Sequence, residues 1–261
     1  MLLLTAISAF AHGDLKELLA DFDSKIKANP TDISPRASKT FLLIDHSMLK
    51  DAEAEITKIR NECISDVSYP EDIKVIRRLN ASLLFKKGDK LAAVNLIKET
   101  LAYDKNVGDL RLLGAVLSDV PSDAAPVLEE ALNLDNNEAS FFLECAALYE
   151  KYDRSHAALI YNKGIKKFGF IPYLVKPAVL NDAELNRQDD CLSKIDTVLA
   201  NLPRKEQWLV LKAQILHKFQ RFTELAVVIR EFRDYVSSIP QEYHGSASFR
   251  KLISDIDALK N

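Results

Sequence analysis

Apolar and polar positions along the 261-residue chain alternate with helical rather than strand periodicity, and the helical stretches themselves repeat. A small or apolar residue just after a polar corner recurs as Leu18, Ala52, Ala93, Ala124, Ala157, Cys191 and Leu225. Successive spacings are 34, 41, 31, 33, 34 and 34 residues. Four positions after each marker stands a bulky residue: Phe22, Ile56, Ile97, Leu128, Tyr161, Ile195 and Ile229. One helical turn separates the two, so both lie on one helix face. Twelve positions before the marker, several units carry a small or modest residue (Ala81, Cys145, Val179, Ala213), and nine before it usually a leucine (Leu43, Leu84, Leu148, Leu216). These belong to a preceding helix. A small side chain there lets two antiparallel helices approach, and the leucine fills the space between them. The pattern predicts an all-α chain of helix pairs.

Repeat ends are marked by Asn29-Pro30-Thr31-Asp32, Asp104-Lys105-Asn106, Asp135-Asn136-Asn137 and Leu202-Pro203, where proline and Asx side chains stop one helix and start the next. In this form the sequence resembles the tetratricopeptide-repeat family, a 34-residue helix-turn-helix unit. The resemblance is clearest in Phe141, Cys145, Leu148, Ala157, Tyr161 and Gly164, then in Gly114, Leu117, Ala124, Leu128 and Ala131, and it extends from Leu15 to about Val236. It implies a right-handed superhelical solenoid of about six to seven antiparallel helix pairs. Departures are visible. Arg36 and Thr40 stand where a large aromatic and a small residue are usual, the first helix around Gly114 is short by about two residues, and the 41-residue spacing points to an inserted loop or hinge at Ile64–Glu71. The tail from Ser246 to Lys260 has Phe249, Leu252, Ile253, Ile256 and Leu259 on one helical face and is expected to cap the last repeat. The expected organisation is a leader or apolar first turn (1–11), degenerate repeats (12–66), regular repeats (67–240) and a capping helix (241–261).

Composition agrees with this reading and narrows function. Seven glycines and nine prolines are roughly half the usual share of the pair, which leaves little material for phosphate-cradling loops or a many-turned β-sandwich. The 38 acidic and 35 basic residues give a formal charge of −3, and the scattered Lys and Arg argue against a nucleic-acid track. No run approaches the ~18 apolar residues of a membrane span. Cys63, Cys145 and Cys191 show neither pairing nor metal spacing and read as core residues.

Met1 to Ala11 form an apolar run ending in Ala9-Phe10-Ala11, the small-x-small pattern of a signal-peptidase site, with polar His12-Gly13-Asp14 following. The segment from Ala11 to Pro30 resembles the start of exported bacterial repeat proteins. The run lacks a preceding Lys or Arg and is shorter than a usual leader of ~15–30 residues. An exported protein with a cleaved leader and a cytoplasmic one with an apolar first turn are both open.

Enzyme signatures are missing. The five histidines never pair at four-residue spacing, and there is no Gly-Lys-Ser/Thr phosphate loop or Gly-x-Ser-x-Gly elbow. Acidic pairs such as Asp189-Asp190 read as solvated faces. Asn80-Ala81-Ser82 matches a glycosylation sequon but falls inside a packed helix. No cofactor or metal is expected. The family resemblance directs attention to the concave groove lined by the first helix of each repeat. Projected through the markers, it selects Arg78, Ser82, Phe85 and Lys86, then Arg111, then Phe142, Ala146 and Tyr149, then Lys176 and Leu180, and last Val210, Gln214, His217 and Lys218. Cations mixed with aromatics suit a protein or peptide partner with acidic and apolar side chains. The carboxylate clamp of chaperone-binding repeats is not supported, because Val75 and Leu79 occupy the positions of its Lys and Arg. The expected function is a non-enzymatic scaffold or adaptor, with a regulatory or structural subunit of an obligate complex as the alternative and an enzyme on a helical fold as a more distant one.

Overall fold

The computed structural model describes residues 14–63, 70–135, 137–240, 242 and 244–259. Its helices are α1 (Leu15–Ala28), α2 (Ile33–Asp45), α3 (Leu49–Lys58) with a π-helical turn at Ile59–Cys63, α4 (Pro70–Lys86), α5 (Lys90–Tyr103), α6 (Val107–Val116) and α7 (Pro121–Leu134). Then come α8 (Ala139–Tyr149), α9 (Arg154–Phe168), α10 (Pro172–Glu184), α11 (Gln188–Asn201), α12 (Glu206–Lys218), α13 (Phe222–Ser238) and α14 (Ala247–Ala258). There is no strand among the described residues. The chain divides into two compact units, Met1–Asn136 and Asn137–Asn261. In the first, α1 precedes the pairs α2/α3, α4/α5 and α6/α7. In the second, the pairs α8/α9, α10/α11 and α12/α13 are followed by α14, which packs on α12 through buried Phe249 and Ile256.

The repeat markers are the core. Ala52, Ala93, Ala124, Ala157 and Cys191 are fully buried, as are Ala81, Cys145, Val179 and Ala213 on the preceding helices. Ile56, Ile97, Leu128, Tyr161, Ile195 and Ile229 fill the space one turn further on. Each large apolar side chain buried this way contributes about 1.5–3 kcal/mol relative to exposure. Within a unit, first helices also stack on one another, α2 on α4, α4 on α6, and α8 on α10. Helix starts are fixed by caps from Asp32, Asp89, Asn106 and Asp153 to backbone N–H groups in the following turn.

Gly114 shows how close the pairs approach, since a Cβ there would overlap the Leu128 side chain on the partner helix. Helix propensity alone would favour Gly114→Ala by about 1 kcal/mol, whereas overpacking costs about 1–3 kcal/mol. We expect the variant to be destabilised in urea denaturation, and the same change to become favourable once Leu128 is trimmed to Ala.

Four of the six described corners between first and second helices share one backbone turn that the sequence disguises. Ser47, Gly88, Asn186 and Gln220 have φ of 60°, 89°, 60° and 57°. The next N–H in each case donates back across the corner, from Met48 to Leu43 at 2.8 Å and from Asp89 to Leu84, Arg187 to Asp182 and Arg221 to Leu216 at 2.9 Å. This left-handed closing residue favours glycine, yet Gly88 alone among the four supplies one. Gln220→Gly should therefore raise stability by about 0.5–1 kcal/mol, read as an increase in Tm.

The departure from regular repeats after Ala52 has a structural form. Part of the extra length is the π-helical turn, which extends α3 and carries Glu62. The expected insertion falls largely on residues 64–69, which lie outside the described residues, as does the apolar segment 1–11. Arg36 and Thr40 are buried in α2. Thr40 Oγ1 donates to the Arg36 carbonyl at 2.8 Å. Arg36 donates to Glu55 at 2.9 Å, to Glu62 at 2.5 Å and to the Pro30 carbonyl at 3.2 Å.

Candidate functional site

The projected groove residues separate by unit. In the first unit the cations are engaged within the protein. On α4, Arg78 places Nε 2.7 Å from Asp109 Oδ1 and Nη2 3.1 Å from Asn106 Oδ1, both contributed by the start of α6. Gly108 leaves the room this needs, because a Cβ there would stand 2.9 Å from the guanidinium carbon. Lys86 reaches Asp45 at 3.5 Å. Arg111 is half-buried and engaged as well. Ser82 is buried and donates to the Arg78 carbonyl at 2.9 Å. Phe85 is half-buried against the cluster of Ala81, Ala93, Ile97, Leu113 and Val116.

In the second unit the aromatic positions need correction. Phe142 is 2% exposed, its ring meets Phe168 edge-on at 5.7 Å, and it closes against Gly164. Tyr149 is 6% exposed and packs on His156 at 4.2 Å and Tyr152 at 5.5 Å. Both are core side chains, because the first helix of this pair carries an almost wholly apolar sequence that must be covered on several sides. Ala146 and Val210 are buried with them.

Exposed chemistry collects on α10 and α12. Lys176 is exposed and has no ion-pair partner among the described residues. Leu180, 46% exposed, lies one turn beyond it, and Tyr173, 51% exposed, one turn before. The three stand at i, i+3 and i+7 and so share one face. Next to them Lys218 on α12 donates to Glu184 on α10 at 2.6 Å. That contact holds the Glu184 carboxyl below the usual carboxylate range. The stability it adds is present above the ordinary glutamate pKa and is lost as pH falls through the depressed one. In Lys218→Met, carboxyl shifts should show Glu184 returning to its ordinary titration range. Exposed His217 meets exposed Phe222 edge-on at 6.1 Å, and Gln214 is exposed beside them. Tyr173 was missed in the sequence because it precedes the projected groove positions by one turn, although stepping back three residues from Lys176 reaches it.

Among the described residues, no group of three His, Cys, Asp or Glu side chains could hold a metal, and no helix is long and apolar enough to cross a membrane. Burial pushes the Cys191 thiol up to about 12, with its Sγ 3.4 Å from the Val179 carbonyl. The half-buried Cys63 thiol is raised by burial too. A thiol shifted this way supplies little thiolate at neutral pH.

The helix pairs have counterparts among solved structures. The C-terminal part of a TPR repeat-containing protein from Cytophaga hutchinsonii aligns with 97% of this chain and 98% of its own, with a TM-score of 0.60 at 10% identity. The chain has the tetratricopeptide-repeat fold. Two further matches are YrrB, described as a TPR protein with an unusual peptide-binding site, and PilF of Pseudomonas aeruginosa. YrrB aligns at a TM-score of 0.47 and 18% identity over 73% of this chain and 97% of its own. PilF gives 0.49 and 12% over 92% and 99%. No protein-family model matches the chain, and no curated protein does. In TPR terms, α10 and α12 are first helices of their repeats, the helices that line the groove in the sequence projection.

Proposed function

We propose that the protein is a non-enzymatic scaffold or adaptor that seats a peptide segment or partner protein in the groove lined by the first helices of its repeats. One observation carries this reading. On α10 an exposed lysine with no ion-pair partner among the described residues stands between two exposed apolar side chains, Tyr173 and Leu180, on a helix whose other faces are packed. The apolar pair would anchor a partner by removing area from water, and Lys176 would select a carboxylate on it. A preformed helical face leaves the ordering cost to the partner alone. The partner class that fits is a segment combining acidic and apolar residues.

The test is to identify captured partners by cross-linking and mass spectrometry, then to measure their affinity for the protein and its variants. Lys176→Glu and Leu180→Asp should each weaken binding by about tenfold or more, with helicity and Tm unchanged. Retained affinity in both variants would remove this face from consideration.

A further inference from the structure

α1 has the register of a second helix. Every second helix of a pair begins three residues before its marker, and α1, which begins at Leu15, stands in the same relation to Leu18. Asp14, four before the marker, accepts from the Lys16 N–H at 3.0 Å, and Asp89 and Asp153 cap α5 and α9 from the same position. What α1 lacks is cover. In the other units the marker and the residue one turn on are both buried, as in Ala93 with Ile97, Ala157 with Tyr161 and Cys191 with Ile195. Leu18 and Phe22 hold these two positions on α1 and are only half-buried. Leu19, the next residue round the helix, packs against the cluster that holds Ala37 and Ile44 of α2. The neighbour that follows α1 in the chain is therefore in place, and the marker face still needs one.

We infer that residues 1–11, which lie outside the described residues, are the first helix of this pair and seat on the marker face of α1 with Ala6 against Leu18 and Phe22. Chain length selects that occupant. Three corner residues separate Lys86 from Lys90, Glu184 from Gln188 and Lys218 from Phe222. Counting the same three back from Leu15 ends a first helix at Ala11, and α6 and α8, with 10 and 11 residues, are no longer than such a helix. The corner itself matches. Gly13 stands five before the marker, where Ser47, Gly88, Asn186 and Gln220 have positive φ, and Gly13-Asp14 repeats Gly88-Asp89. Ala6 is twelve before the marker, the place of Ala81, Cys145, Val179 and Ala213. That place lies under the marker and the residue one turn on: Cys191 Sγ is 3.4 Å from the Val179 carbonyl, and Leu128 fills the space over Gly114, the corresponding residue of the shortened pair. A small Ala6 would leave room for the Phe22 ring. Residues 1–11 carry no charged side chain, so covering them leaves no buried charge unpaired. Two positions depart from the pattern. Ala9 stands where a leucine is usual, and Lys25 stands where α9 has Gly164 against Phe142. Fifteen before the marker is Leu3, which the Lys25 stem would cover while its ammonium stays in water.

Hydrogen exchange on the full chain should find the amides of residues 4–11 slowed by about a hundredfold or more relative to an unstructured peptide. Ala6→Phe should lower Tm by about 2–4 °C or more, because its ring would stand where Phe22 packs. Phe22→Ala should lower Tm as well, and the two changes in one chain should cost less than their sum, a coupling that only a contact between the two positions gives. Intact mass of the protein taken from its own host should include residues 2–11. Unprotected amides in that segment would overturn the inference, as would strictly additive effects of Ala6→Phe and Phe22→Ala. A mature chain beginning at His12 would also overturn it, since the marker face of α1 would then have to be covered from outside the chain or left in water.

Discussion

Arg36→Ala should lower the stability of the first unit by about 3–5 kcal/mol, the largest effect expected of any single substitution considered for this chain. Arg36 and Glu55 are 5% and 4% exposed and face each other at 2.9 Å. Removing the guanidinium leaves the Glu55 carboxylate in the same buried place with only Lys39 at 3.8 Å and Lys58 at 3.5 Å as counter-charges. It also strips the Pro30 carbonyl and the π-helical turn at Glu62 of their shared donor. The cost is that of an orphaned buried charge, so replacing both partners should hurt less than replacing one. Arg36→Met combined with Glu55→Leu is expected to recover most of the loss in urea denaturation. Hydrogen exchange should place the single variant's weakening in α2 and α3. A cost below about 1 kcal/mol for Arg36→Ala would mean that the cluster behaves as a solvated surface network instead.

The same residue shows where sequence reading reached its limit. A spacing rule identifies Arg36 as out of place in a regular repeat, but it has no means of pairing it with Glu55, nineteen positions away, or with Glu62 on a π-helical turn. The 34-residue markers were legible because small-versus-large choices at helix crossings are steric and leave a fixed period. The corners were less so. Four of them need a left-handed residue, and three use Ser47, Asn186 and Gln220, since the surrounding hydrogen bonds tolerate the strain that glycine would relieve. The groove projection mixed two kinds of residue on the first helices. Phe142 and Tyr149 occupy projected positions but are drawn into the core by Gly164 and His156, whereas Lys176 stays in water. Periodicity assigns a position to a helix face. Whether that face is covered depends on which side chains the neighbouring helix brings to it.

Arg78→Ala should cost the first unit about 2–4 kcal/mol, and this decides how Arg78 is to be treated as a groove residue. Asp109 is 1% exposed, at the first turn of α6, with one oxygen on Arg78 Nε at 2.7 Å and the other on Asn106 Nδ2 at 2.6 Å. Asn106 in turn caps the helix through its Oδ1, which accepts from the Asp109 N–H at 2.9 Å and from Arg78 Nη2 at 3.1 Å. Taking away the arginine leaves a buried carboxylate facing a neutral amide, and Arg78→Glu would add a second negative charge to it. Loss of partner capture in either variant would therefore report a loosened α4–α6 contact. Arg78→Ala with Asp109→Asn should regain about half of the lost stability, because the orphaned charge is gone while the amide can keep its bond to Asn106. If Arg78 instead served a partner directly, Arg78→Ala would weaken binding with denaturation midpoint unchanged, and Asp109→Asn would rescue nothing.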